Sequence, residues 1–238
     1  MADFFPDLFE RFRSTDFLKK VLKKYHYEEE REAELKKVSE EMLPLMRREA
    51  FWESRESGAW SVFPALGDTL REKKADAVYE AVLMSLGSGL DRMQEEFHEQ
   101  GKLSESYMLE ALASELLLEG YSAYNRCVGE SGKRHVARYH FPGSEEAFPL
   151  TMVPELLKEF NGPAVCNDAF CITPKKSVVF VAELTTDERI RCESVCAGCQ
   201  NIHCPNRSED DPLKGRMLAR MADMPLSYGY SRILGRPY

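Results

Sequence analysis

No stretch of this 238-residue chain approaches the roughly 20 continuous apolar residues that a membrane-spanning helix needs. The best candidate, Ala77 to Leu90, is broken by Glu80, Ser85, Gly87 and Gly89. The opening Met1-Ala2-Asp3-Phe4-Phe5-Pro6 lacks a basic region followed by an apolar run and a small-residue cleavage site, so the expectation is a cytoplasmic protein with no membrane partner. Positive charge is also in short supply: the formal net charge is -8, and the bases are dispersed among acids rather than gathered into a stripe. That argues against nucleic acid as a partner. There is no Gly-rich phosphate loop with its lysine, no dinucleotide fingerprint, no Gly-x-Ser-x-Gly elbow and no pair of histidines at zinc-protease spacing. Common hydrolase and nucleotide-binding classes are disfavoured on that ground. Internal repeats and low-complexity segments are missing as well.

Cysteine, by contrast, is plentiful. The chain has 7, an odd number that makes an awkward disulfide framework and suits a reducing compartment, where thiolates serve as metal ligands. Four of them fall in the pattern Cys192-x3-Cys196-x2-Cys199-x4-Cys204, which brings four soft donors within reach of one centre. Gly198 permits the tight bend that the Cys196 to Cys199 knuckle needs, and His203 is a substitute for one cysteine. A closed four-thiolate zinc site would pin a segment that lacks its own core. The crowded spacing and the Cys204-Pro205 ending point instead to an iron-sulfur cluster, although the intervals are not the ferredoxin ones. Both metals stay open. Cys127, Cys166 and Cys171 read as buried, unreactive residues. His26 and His98 read as surface residues, leaving His135 and His140 as the histidines of a plausible site loop.

With 43% apolar and 30% charged residues the chain has the composition of an ordinary globular protein. The first fifty residues are predicted helical from Phe17, Leu18, Val21, Leu22 and Tyr25, then Leu35, Val38, Met42 and Met46. A break is expected over Ser54 to Gly67, followed by a buried strand from Ala77 to Met84, a glycine turn, and a helix opened by Leu90, Met93 and Phe97. Ser106 to Cys127 carries a broad apolar stripe and is predicted to be the central helix, stopped by Gly129 to Gly132. Arg134 to Leu150 is read as a loop around Phe141-Pro142-Gly143, and Met152 to Phe160 as a short helix. Ser177 to Leu184 is the clearest strand, with Lys175 and Lys176 as its solvated approach. The fold class expected is α+β, with mixed helices around an antiparallel-rich sheet.

Four stretches, in this order, resemble the reactivation (activation) domain of cobalamin-dependent methionine synthase, in the stand-alone form found in anaerobic bacteria. They are Leu86-Gly87-Ser88-Gly89-Leu90-Asp91-Arg92, the helix around Leu109 to Leu116, Arg138-Tyr139-His140-Phe141-Pro142-Gly143-Ser144, and Ile172-Thr173-Pro174-Lys175-Lys176-Ser177-Val178. The third is similar to the family's Arg-x-x-Pro-Gly-Tyr loop, with one extra residue before Pro142 and Ser144 in place of the tyrosine. The resemblance covers Val62 to Leu184 and implies a division into an N-terminal helical arm (1–60), an activation-domain-like core (61–188) and a cysteine-cluster tail (189–238).

What the resemblance implies about function is assistance to a partner, a corrinoid protein or a methionine synthase-type methyltransferase, whose cobalamin cobalt has fallen to its inactive cob(II) state. One-electron reduction is coupled there to methyl transfer from S-adenosylmethionine. Arg138 would hold the carboxylate of S-adenosylmethionine, Tyr139, Pro142 and Gly143 would shape the binding loop, and Asp168 would be a weaker contributor. An iron-sulfur cluster at the four cysteines would offer a built-in electron donor, which zinc would not. The alternative is a metal-stabilised protein-interaction module with the same fold and no activity of its own.

Overall fold

The computed structural model describes residues 3–56, 78–131, 134–144, 148–190, 192 and 194–196. Three helices lead the chain: α1 (Phe5–Phe12), α2 (Thr15–Lys24) and α3 (Glu32–Glu49). The Ser14 hydroxyl caps α2 by accepting from the Phe17 N–H at 3.2 Å. After α3 comes strand β1 (Phe51–Glu56), then β2 (Val78–Ser85), α4 (Gly89–Glu99), α5 (Leu103–Glu130) and β3 (His135–His140). A short helix α6 (Val153–Leu157) precedes the small hairpin β4 (Val165–Cys166) and β5 (Ile172–Thr173), and β6 (Ser177–Thr185) follows. β1, β2, β6 and β3 form, in that order, a four-stranded sheet whose neighbours are all antiparallel. The α+β class and the antiparallel sheet expected from the sequence are both present.

Strand alternation divides the residues between two faces. Val82 and Met84 of β2, with Phe180, Ala182 and Leu184 of β6, turn toward the helices and share one core with α1 to α5. Tyr79, Ala81 and Leu83 of β2, with Val179 and Val181 of β6, turn the other way and are covered by Phe148, Val153, Leu156, Leu157 and Phe160. The leading helices belong to the first core: Leu8, Phe12, Val21, Leu35 and Met42 are fully buried there. Phe4 packs on Trp52 of β1 with ring centroids 4.8 Å apart. α5 crosses the sheet at Gly120, where a Cβ would lie 2.5 Å from Met84 Sδ, so a larger residue there would require the Met84 side chain to shift.

α5 also buries acids. Glu115 and Glu119 are 1% and 5% exposed and are met by Arg11 (2.6 Å to Glu119), Lys20 (2.7 Å to Glu115, 2.6 Å to Glu119) and Lys24 (2.6 Å to Glu115). The cations come from α1 and α2, so charge as well as apolar packing fastens the leading helices to the central one. The apolar stripe alone predicted a helix with little charge on it.

Two readings change. Arg134 to Leu150, expected as a loop, contains the edge strand β3. Its register shifts between Val136 and Arg138, so Val136 and Tyr139 face the helices although three residues apart. That irregularity breaks the period-2 pattern by which a strand is recognised. Within the break expected over Ser54 to Gly67, Ser54, Arg55 and Glu56 are strand, paired with Val82, Ala81 and Glu80, and residues 57–67 lie outside the described residues.

Candidate functional site

β3 carries the candidate loop residues at its end. Arg138 is half-buried and stands directly across from Glu183 of β6; on the other side of Glu183 stands Tyr79 of β2. Directly paired residues of antiparallel strands share a face, so Tyr79, Glu183 and Arg138 form a row across the sheet, on the face away from the helices. His140 joins them from β3, 4% exposed, with Nε2 3.5 Å from Glu183 Oε2 and its ring 6.2 Å from that of Tyr79. Burial, and then the charge of Glu183, push the Tyr79 phenol up to about 12. The sequence marked His140 as a loop histidine; it is a buried strand residue.

The row leads into the Pro142-Gly143 turn. Gly143 adopts a left-handed φ of +81°, and a Cβ there would lie 3.3 Å from Leu150 Cβ. The turn is closed on itself: the Gly143 N–H donates to Phe148 O (2.7 Å), the Ser144 N–H to Phe141 O (3.0 Å), and the Ser144 hydroxyl to the same oxygen (2.7 Å). Glycine at this position serves a close approach to Leu150, with the turn's amides spent inside it. Asp168 is elsewhere, exposed in the turn between β4 and β5, where Asn167 Oδ1 accepts from the Ala169 and Cys171 N–H groups at 3.0 Å each.

Tyr139 faces the helices within an aromatic cluster centred on Phe180, whose ring lies 5.2 to 6.1 Å from those of Tyr121, Tyr124, Tyr139 and Phe141. Its phenol is raised above the usual tyrosine range by burial first, and then by Cys192 and Tyr121 beside it.

That neighbour is the first of the four clustered cysteines. After β6 the chain turns at Asp187 to Ile190 and returns along the outer edge of β3. There the Cys192 N–H donates to Val136 O at 2.8 Å, and Asn125 Nδ2 of α5 donates to Cys192 O at 2.8 Å. Cys192 is 6% exposed within the helix-side core, with Val195 packed against it, and its thiol donates to Ser194 O at 3.0 Å. Cys196 is half-buried four residues on, while Cys199 and Cys204 lie outside the described residues. Among the described residues no three His, Cys, Asp or Glu side chains gather as a metal-holding group, and no helix is long and apolar enough to cross a membrane. The donor chemistry at Cys192 fits a thiophilic metal: a sulfur removed from water, on a backbone tied at both its N–H and its C=O.

The other cysteines separate. Cys127 is buried as read, Cys166 is half-buried, and Cys171 is exposed in the hairpin turn, contrary to the expectation of a buried residue. His26 and His98 are exposed, as expected. Lys176 is not solvated: its side chain is 12% exposed and its ammonium bonds Glu110 and Ser114 of α5. Lys175 contributes its backbone N–H to Asp91 at 2.9 Å.

Sequence reasoning did not single out Glu183, Tyr79 or Asn125. Glu183 had a signal, since it is the one acid inside the apolar run Val178 to Leu184. Asn125 had only its low helix propensity, and its partner lies 67 residues away in sequence.

Compared with known proteins, the chain matches no family model and no curated sequence.

Proposed function

We propose that the chain is an accessory protein, with a fold like the methionine synthase activation domain, that assists reductive activation or methylation of a corrinoid-bearing partner. The observation that carries this reading is the convergence on β3. The strand bears Arg138 and runs into Pro142-Gly143, and two residues before Arg138 it accepts the backbone of Cys192. The S-adenosylmethionine loop that the resemblance implies would thus follow the strand whose outer edge carries the first cysteine of the centre read from spacing, with Arg138 on the face away from the helices and Cys192 on the helix side. Cys192, Cys196, Cys199 and Cys204 would hold the iron-sulfur cluster, which supplies one electron at a time when bound; a zinc ion there would only be structural. Arg138 offers a planar guanidinium suited to a carboxylate, with the buried acid Glu183 across the strand pair.

The second reading, a metal-stabilised interaction module, is favoured by the closed turn: the Gly143 and Ser144 amides are bonded within it. Two measurements separate the readings. Anaerobically purified protein is assayed for iron, sulfide and zinc with an electron paramagnetic resonance spectrum of the reduced form, and S-adenosylmethionine is titrated by calorimetry with and without a cob(II) corrinoid protein. Iron, sulfide and a paramagnetic signal, together with heat in the presence of the corrinoid protein, are expected. One zinc without iron removes the electron-donor role, and absence of heat in both titrations leaves the module.

A further inference from the structure

We infer that Asn125 is a positioning residue for the cysteine centre, setting the backbone of Cys192 before any metal arrives; this rests on the reading that Cys192 is a metal ligand. A thiolate ligand on an untethered segment loses conformational entropy when the metal immobilises it, and that loss lowers affinity. Cys192 has had much of that loss paid in advance. Its N–H is bonded to Val136 O of β3 and its C=O to Asn125 Nδ2 of α5, each at 2.8 Å, so two different elements fix the peptide groups on either side of its Cα. The thiol donates to Ser194 O in the turn that follows.

Asparagine is a poor choice for a helix on propensity, and near the end of a 28-residue helix an ordinary exposed position would favour a better former. Asn125 instead is half-buried and spends its amide on the ligand residue. Hydrogen bonds that orient a ligand residue change metal affinity by about 10- to 100-fold in metal sites generally. Asn125 touches no metal itself; it acts through Cys192.

The test uses the full chain stripped of metal under anaerobic conditions and titrated with Co²⁺, read by the thiolate-to-cobalt absorption bands, then competed with Zn²⁺. Asn125→Ala removes the donor. Asn125→Asp removes it at constant size, and Asn125→Gln restores an amide one methylene longer. Affinity is expected to fall about tenfold or more in the first two and to recover in part in the third, with the far-ultraviolet circular dichroism of all three variants unchanged. Binding within twofold of the parent in both Ala and Asp variants overturns the role of Asn125 while leaving the metal reading intact. If the parent chain shows no thiolate-to-cobalt bands, the metal reading falls and this inference falls with it.

Discussion

The two faces of the sheet bury acids in different company. On the helix side each buried carboxylate meets donors from other elements: Glu80 accepts from the Tyr124 hydroxyl of α5 at 2.6 Å, and Glu115 and Glu119 are held by cations of α1 and α2. Glu49 at the end of α3 accepts from Ser88 and Arg92 across the β2 to α4 turn. These contacts fasten helices together. On the opposite face Glu183 lies in a row with Tyr79, Arg138 and His140, beside an apolar cover drawn from a single stretch of chain. The first arrangement is cement. The second gathers four polar side chains at the approach to a turn, in place of ties between helices.

The two faces should differ most at the aromatic hub. Phe180→Ala should cost about 3–5 kcal/mol in urea unfolding, because the ring is fully buried among four others. Val181→Ala, one residue on and facing the other way, should cost about 2 kcal/mol, the worth of two buried methyl groups. Equal losses would mean that both faces carry stability alike. Tyr124→Phe comes next, at about 1–3 kcal/mol, since it leaves the buried Glu80 carboxylate without its donor; a neutral result would remove Glu80 from the cement.

Acid sensitivity is a smaller effect. Desolvation works against ionised Glu49, but hydrogen bonds from Arg48, Ser88 and Arg92 outweigh it and hold the carboxyl at about 2. A carboxyl depressed in the folded state contributes stability that is complete above its unfolded value and is lost as pH falls toward the folded one. Stability should therefore decline from about pH 5 toward pH 2, and less steeply in Glu49→Gln; parallel curves would discount the network. The smallest change is expected at Tyr79. Glu183→Gln should lower its phenol from about 12 while burial still keeps it above the ordinary tyrosine value, as read by ultraviolet titration. An unmoved titration would separate Tyr79 from Glu183.

The sequence made the helix-side face legible because its residues recur at helical spacing and its strands are β-branched, as at Ser177 to Leu184. It hid β3 because the register shift around Ala137 disguises the alternation, and it hid the fates of Glu115 and Glu119 because a buried acid looks like a solvated one until its partners are known. Of the candidate site, Arg138 and the Pro142-Gly143 turn could be picked out from the motif. The direction in which Gly143 makes its close approach could not, since that depends on Leu150. Asp168 was chosen by motif position, and it lies exposed in the turn between β4 and β5.

The hydrogen bond from Cys192 to Val136 has one more consequence. β3 is an edge strand, and an edge strand's outward carbonyls and amides are a template for strands of other molecules. By donating the Cys192 N–H to Val136 O, the chain fills one acceptor of that edge from within, leaving one fewer for a strand of another molecule.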